Sequence, residues 1–302
     1  MLSDKDEHLH VPKKVPLWRE SWYFNLMDPI NKIFSVSTMG YMPTEGESHY
    51  FSTLYVDDTL FTHINYQKLK SKNDIKENPS DGNQSFTILK EHKEWEIQLQ
   101  KRNFQLDYVW TGRFPVYEYP GGWQIPGILE QQHYEQSGLV KGTITFKDGT
   151  IREIDGFGHR DHSWGIRNWV NINEWYWTSV QFENGELALN CWLNVVNNKN
   201  YVHGFLSSAE QNIPIKKIEV QTQFQADNPQ NPKSAEFKLT DKNGKNYELT
   251  ADTIYLIALP QSSKEGTCYI YETISKFEMD GQIGYGVAEY LKSLKKEKLK
   301  TN

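Results

Sequence analysis

Along most of the chain, apolar and polar residues alternate with a period of two, as in strands that bury one face. The pattern is clear over Lys32–Tyr41, Glu47–Val56 and Leu60–Tyr66, and again over Ser85–Leu89, Lys93–Gln100 and Phe104–Trp110. Turn formers punctuate it at Asp28-Pro29 and Asp57-Asp58, and polar residues 70–84 read as a solvated loop. A Lys147-Asp148-Gly149 turn joins Val140–Phe146 to Ile151–Phe157 as a hairpin. Alternation resumes at residues 174–182 and Glu186–Val196, then runs through Val202–Leu206, Ile218–Phe224, Ala235–Leu239, Asn246–Leu259, Cys268–Phe277 and Ile283–Leu291. No stretch carries the 3.6-residue period of a long amphipathic helix, and strands do not alternate with helices, so the fold class is all-β and antiparallel. The strands are too many for one small barrel. Two aromatic entry strands, residues 18–26 and 174–182, suggest pseudo-repetition. The expected organisation is therefore two tandem β-barrels, at 17–158 and 159–292, with a loosely held arm at 1–16 and a basic tail at 293–302.

Composition narrows the function. Aromatics make up 14% of the 302 residues, with ten Trp and seventeen Tyr, side chains that suit both strands and concave apolar sites. A net charge of -6 argues against a nucleic-acid surface. Cys191 and Cys268 give neither a disulfide framework nor zinc spacing, and two reduced core thiols are the simpler reading. The first residues lack an apolar leader segment, and no apolar run approaches the roughly twenty residues of a membrane helix. A cytoplasmic protein without an integral membrane segment is expected. GxGxxG, P-loop, HExxH and GxSxG strings are all absent.

The chemistry concentrates at the midpoint, in Gly156-Phe157-Gly158-His159-Arg160-Asp161-His162-Ser163-Trp164-Gly165. In extended chain His159 and Asp161 point to one face, a usable acid/base pair, while Arg160 and His162 point to the other. There Arg160 could anchor the segment through a carboxylate or backbone carbonyls. The competing reading is a buried polar lock at a chain crossing. Upstream, Glu20, Trp22 and Phe24 share one face of an aromatic strand and Ser21, Tyr23 and Asn25 the other. This strand either plugs a barrel end as an edge or presents Glu20 or Asn25 to a cavity. His133 and Glu135 share a face, as a core pair or a cavity-facing one, and the Pro/Gly/aromatic stretch Phe114–Ile128 reads as a structured loop, a candidate lid. In the second half Leu187, Leu189, Cys191, Leu193 and Val195 form a core row. Asn190, Trp192 and Asn194 oppose them, as a polar cavity wall or a solvated outer face. His133, His159 and His162 with Glu135 or Asp161 are the conceivable metal donors, but His159 and His162 diverge in extended chain, and no metal or other cofactor is expected.

The strings Glu20-Ser-Trp-Tyr-Phe-Asn25, His133-Tyr-Glu-Gln136, Asp155–Gly165 and Gly284-Tyr-Gly-Val-Ala-Glu-Tyr290 resemble a lipocalin-related superfamily, that of carotenoid 1,2-hydratase (hydroxyneurosporene synthase) and AttH-like proteins, and within it a bacterial branch. The resemblance covers nearly the whole chain after residue 16 and implies two tandem lipocalin-like antiparallel barrels. It also implies a hydratase, isomerase or cyclase acting on a hydrophobic isoprenoid- or polyketide-like molecule, or else a carrier of such a ligand. On that reading Asp161 is the candidate acid and His159 its partner, with Glu20, His133 and Glu289 as alternative acids. Arg160 and Trp164 position the ligand, while Trp22, Asn25, Trp175, Trp177, Trp192 and Tyr285 belong to the binding wall.

Overall fold

The computed structural model describes residues 2–69, 78–262 and 266–295, which form two compact units, Met1–Arg167 and Asn168–Asn302. The first contains β1 (Trp18–Asp28), β2 (Ile33–Met42), β3 (Glu47–Val56), β4 (Thr59–Lys68), β5 (Gln84–Lys90), β6 (Glu94–Gln100), β7 (Phe104–Gly112), β8 (Tyr117–Glu118), β9 (Trp123–Ile125), β10 (Leu129–Phe146) and β11 (Ile151–Arg167). The second contains β12 (Glu174–Phe182), β13 (Ala188–Val196), β14 (Lys199–Ser207), β15 (Asn212–Phe224), β16 (Pro232–Asp241), β17 (Asn246–Ser262), β18 (Gly266–Met279) and β19 (Gln282–Lys295). The class is all-β, as the alternation requires. Among the described residues no helix is long and apolar enough to cross a membrane.

In the second unit β12 to β19 pair in sequence order and β19 returns to β12, closing an eight-stranded barrel. Its core holds Leu189, Cys191 and Leu193, the row expected to be buried. Cys191 and Cys268 are buried thiols that are not joined in a disulfide. The first unit is a curled sheet in the order β4-β3-β2-β1-β11-β10-β7-β6-β5, with β8 and β9 also paired to β10. Asp81, ahead of β5, stitches the two ends of this order together. Its Oδ2 accepts from Asn65 Nδ2 on β4 (2.8 Å) and lies 2.7 Å from His63 Nε2, while its Oδ1 accepts the Gln84 backbone N–H (2.7 Å). The tandem lipocalin-like expectation thus holds, with one unit closed and the other curled.

The unit boundary lies at Arg167/Asn168 rather than 158/159. The central motif is not a connection but the second half of β11, and cutting at 158 would break a continuous ladder with β10. The aromatic strand β1 is no edge either, because it pairs with both β2 and β11. Gly158 is explained at this crossing: a Cβ there would collide with the Asn25 carbonyl oxygen of β1. Of residues 70–84 and the tail 293–302, positions 70–77 and 296–302 lie outside the described residues.

The arm is also not loose. After a short 3-10 turn at Asp4–Glu7, Leu9 and Val15 pack against the first core, and Glu7 is completely buried. Its carboxylate meets Arg160 Nη1 (2.5 Å) and Nη2 (3.2 Å), and it accepts from Trp95 Nε1 (2.6 Å) and the Tyr134 hydroxyl (3.0 Å). Burial alone would raise this carboxyl. Arg160 and His92 overcome that and hold it well below the usual range. The pairing was unreadable from the sequence because 153 residues separate the partners. Glu7→Gln leaves a wholly buried guanidinium without its counter-charge. We expect it to cost about 3 kcal/mol in urea unfolding, and Glu7→Gln/Arg160→Met to recover part of the loss; equal losses in both would show that the pair does not hold the arm.

Candidate functional site

The three central strands β1, β11 and β10 carry the Glu20–Asn25, His133–Gln136 and Gly156–Gly165 motifs. Antiparallel register aligns Tyr23, Asp161 and Glu135 in one cross-strand row, and Trp22, His162 and Tyr134 in the next. Successive rows point to opposite faces, so the motif splits as its alternation predicts.

On one face lie His133, Glu135, His159 and Asp161. Glu135, fully buried, sits with Oε1 2.7 Å from His133 Nε2 and Oε2 2.8 Å from His159 Nε2, and the Tyr119 hydroxyl donates to Oε1 (3.2 Å). His159 is held further by Ser137 Oγ, 3.0 Å from its Nδ1, and its backbone N–H donates to Asn25 Oδ1 (2.8 Å). Trp123 stacks on the His133 ring with centroids 5.3 Å apart. In the Phe114–Ile128 stretch β8 and β9 extend the sheet alongside β10, and Tyr119 and Trp123 reach the Glu135 and His133 side chains. Burial pushes the Glu135 carboxyl up, but hydrogen bonds from His133 and His159, with the charge of both rings, bring it down to about 2.

Asp161 differs. It is half-buried and enters no hydrogen bond or ion pair among the described residues. Burial raises its carboxyl above the ordinary value; Glu135 acts in the same direction, against the pull of His133, Arg167 and His159. The expected Asp161–His159 pair is thus loosened: His159 is bonded to Glu135, and Asp161 stands beside that cluster as its one carboxyl open to a new partner.

On the opposite face lie Arg160, His162 and Trp164 with Glu20 and Trp22. Arg160 is spent on Glu7 and Gln136, which makes it an anchor of the fold rather than a ligand contact. Glu20, also fully buried, lies 2.9 Å from both His162 Nε2 and His10 Nδ1 through the same oxygen, Oε1. Burial raises the Glu20 carboxyl, yet the two imidazoles hold it below its ordinary value; burial lowers His162. Trp22 stacks on His162 (4.4 Å) and Trp164 on His10 (3.8 Å). Donor atoms of His10, Glu20 and His162 all fall within 4.8 Å of one another. A cavity of about 160 Å³ beside Trp164, lined also by Lys13, Trp18, Gln131 and Gln132, is smaller than the roughly 300 Å³ at which pockets for drug-sized ligands begin.

Trp175, Trp177, Trp192, Tyr285 and Glu289 belong to the second unit. Trp177 registers with Trp192 on β13 and with Glu289 on β19, and Glu289 with Glu272 on β18. This row alternates with the barrel core and lies on the outer side of the barrel wall. Asn190, Trp192 and Asn194 are accordingly not a lumen wall, though all three are buried. Tyr285 is half-buried, and burial raises its hydroxyl.

Glu7, His10 and Tyr134 were missed by sequence reading. Nothing local distinguishes an arm carboxylate or imidazole that acts only by meeting β1, β10 and β11. Glu135→Gln removes the carboxylate that two buried imidazoles share and should cost about 3 kcal/mol. Because the folded carboxyl lies below its unfolded value near 4.3, its contribution is complete above that pH and is lost as pH falls toward about 2. Denaturant unfolding from pH 5 to 3, below the ordinary histidine value of about 6.5, should show a gap between the two proteins that narrows as the pH falls; a gap independent of pH there would refute the assignment.

Three solved structures share this architecture. An AttH-type protein of Nitrosomonas europaea superposes with a TM-score of 0.68 at 14% identity, covering 93% of this chain and 94% of its own. CghA, crystallised with Sch210972, gives 0.66 at 10% identity over 92% and 89%. Kievitone hydratase of Nectria haematococca gives 0.60 at 12% over 91% and 89%. At such identities the likeness establishes the fold. No curated protein matches the sequence. A family model does match, over residues 3–293, and the chain belongs to that family, the domain of unknown function DUF7064.

Proposed function

We propose that the chain is an acid/base enzyme for an apolar small molecule, a hydratase, isomerase or cyclase, with Asp161 as the proton-transferring group. The observation that carries this reading is the contrast on one face of β11: Glu135 is saturated by two imidazoles and a phenol, while Asp161 beside it is half-exposed, without a hydrogen bond and raised in pKa. A carboxyl that stays protonated above its ordinary range can donate to an unactivated double bond or an enol. The carboxylate left behind faces the favourable potential of His133, Arg167 and His159, which assists the transfer. Tyr23, the cross-strand partner of Asp161, and Trp123 over His133 supply aromatic surface on the same face, suited to a developing cation. The fold shared with kievitone hydratase and with CghA, crystallised with Sch210972, supports a small-molecule substrate, and its isoprenoid- or polyketide-like class is part of the proposal. The second reading, a carrier, is favoured by one observation: the Glu135 cluster is a closed network that would serve as a lock without any chemistry.

Burial disfavours the charged Asp161 carboxylate and Asn is its uncharged isostere, so Asp161→Asn should fold with unchanged or slightly higher stability. Native mass spectrometry and organic extraction of the wild type and this variant test the proposal. An apolar ligand that accumulates in the variant alone, with turnover reduced by about 100-fold or more, is the expected result. The same ligand in equal amount in both proteins establishes the carrier.

A further inference from the structure

We infer that His10, Glu20 and His162 form a binding site for one divalent transition-metal ion, which clasps the amino-terminal segment onto the first sheet. The site lies on the face of β11 opposite Asp161 and is independent of the proposed reaction. Two imidazoles and a carboxylate suit Zn²⁺ or its first-row neighbours better than Mg²⁺ or Ca²⁺, which favour all-oxygen sets. On the Asp161 face, His133 and His159 take different oxygens of Glu135. Here His10 Nδ1 and His162 Nε2 both converge on Oε1 of Glu20, each at 2.9 Å. Ligands bound at the usual 2.0–2.1 Å in a tetrahedron stand roughly 3.3 Å apart, so an ion needs only small displacements of these three groups.

The surroundings point the same way. Glu20 is fully buried, yet no lysine or arginine among the described residues pairs with it; its only ion-pair partners are the two imidazoles. The His10 backbone N–H donates to both Glu20 oxygens (3.2 and 3.1 Å), and the positive charge that a buried carboxylate also needs comes here either from imidazole protons or from a metal ion. The remote ring nitrogens favour the ion. If His162 Nε2 binds a metal, Nδ1 carries hydrogen and donates to the Tyr134 oxygen (3.1 Å), leaving the Tyr134 hydroxyl to donate to Glu7 (3.0 Å). Every hydrogen in that relay is then accounted for with a neutral ring. If His10 Nδ1 binds the metal, Nε2–H faces the Asp6 carboxylate at 3.6 Å; a neutral ring donating through Nδ1 would turn a lone pair toward that anion instead. Tyr134 and Asp6 thus occupy the outer-shell positions that orient metal-binding histidines. Stacking of His162 on Trp22 and of His10 on Trp164 fixes the ring planes, so the donors are oriented before an ion arrives. Three protein donors leave at least one coordination position for water or another ligand.

The test uses the full-length protein, stripped with EDTA and titrated with Zn²⁺, or with Co²⁺ for its visible spectrum. The expected result is one equivalent bound, a ligand-field spectrum of a four- or five-coordinate site, and a raised unfolding midpoint. His10 is partly exposed on the arm, so His10→Ala should fold and lose tight binding; Asp6→Asn should weaken binding by about tenfold. His162→Gln should abolish it as well, but that change disturbs the core, so His10→Ala carries the decision. The proposal is overturned if the wild type binds no ion, or if His10→Ala binds as the wild type does, which would place the ion on other histidines.

Discussion

The first unit depends on one constraint: β11 is a central strand whose polar side chains are buried on both faces. A strand in that position is ordinarily apolar throughout, because each buried polar group must recover the hydrogen bonds it loses with water. Here His159, Arg160, His162 and Ser163 are all buried. The surrounding strands and the arm supply the answering groups one by one. Glu135 answers His159, Glu7 answers Arg160, Glu20 answers His162, and Ser21 Oγ lies 3.2 Å from Ser163 Oγ. Each unmet member of such a network costs stability, which is why a segment as remote as Glu7–His10 is drawn onto the sheet.

Within this frame Asp161 is the exception that suggests chemistry. Buried carboxylates in the unit either pair with an imidazole or a guanidinium, or accept hydrogen bonds from neighbours. Asp161 shares the Glu135 environment without sharing its partners. Two carboxyl groups in one low-dielectric neighbourhood separate in pKa, the saturated one falling and the unsaturated one rising. That separation, with burial raising Asp161 and the imidazoles lowering Glu135, is the physical basis of the proposed division of roles between them.

The two faces of β11 thus have different characters. One pairs a closed histidine–glutamate cluster with a free carboxyl; the other carries a hydrogen-bonded chain from Glu7 through Tyr134, His162 and Glu20 to His10. The second unit adds an outer row of Trp177, Trp192 and Glu289 on a closed barrel, with an apolar core set by the alternate positions of the same strands.

Strand content, antiparallel class, the tandem organisation and the assignment of His159 and Asp161 to one face against Arg160 and His162 on the other were all determined by the sequence. A period of two is a local property, and side-chain direction follows from it directly. The His133–Glu135 contact was legible for the same reason, since residues two apart on a strand share a face. Only tertiary structure decided which carboxylate each basic group would meet. Spacing favoured Asp161 for His159, but cross-strand register delivered Glu135; nothing near Arg160 in sequence announced Glu7. Tertiary structure also moved the unit boundary to Arg167, because the ladder with β10 continues through the position at which the first barrel was expected to end. Pairing partners are chosen by register and burial, which bring together groups over a hundred residues apart, and no local pattern encodes those distances.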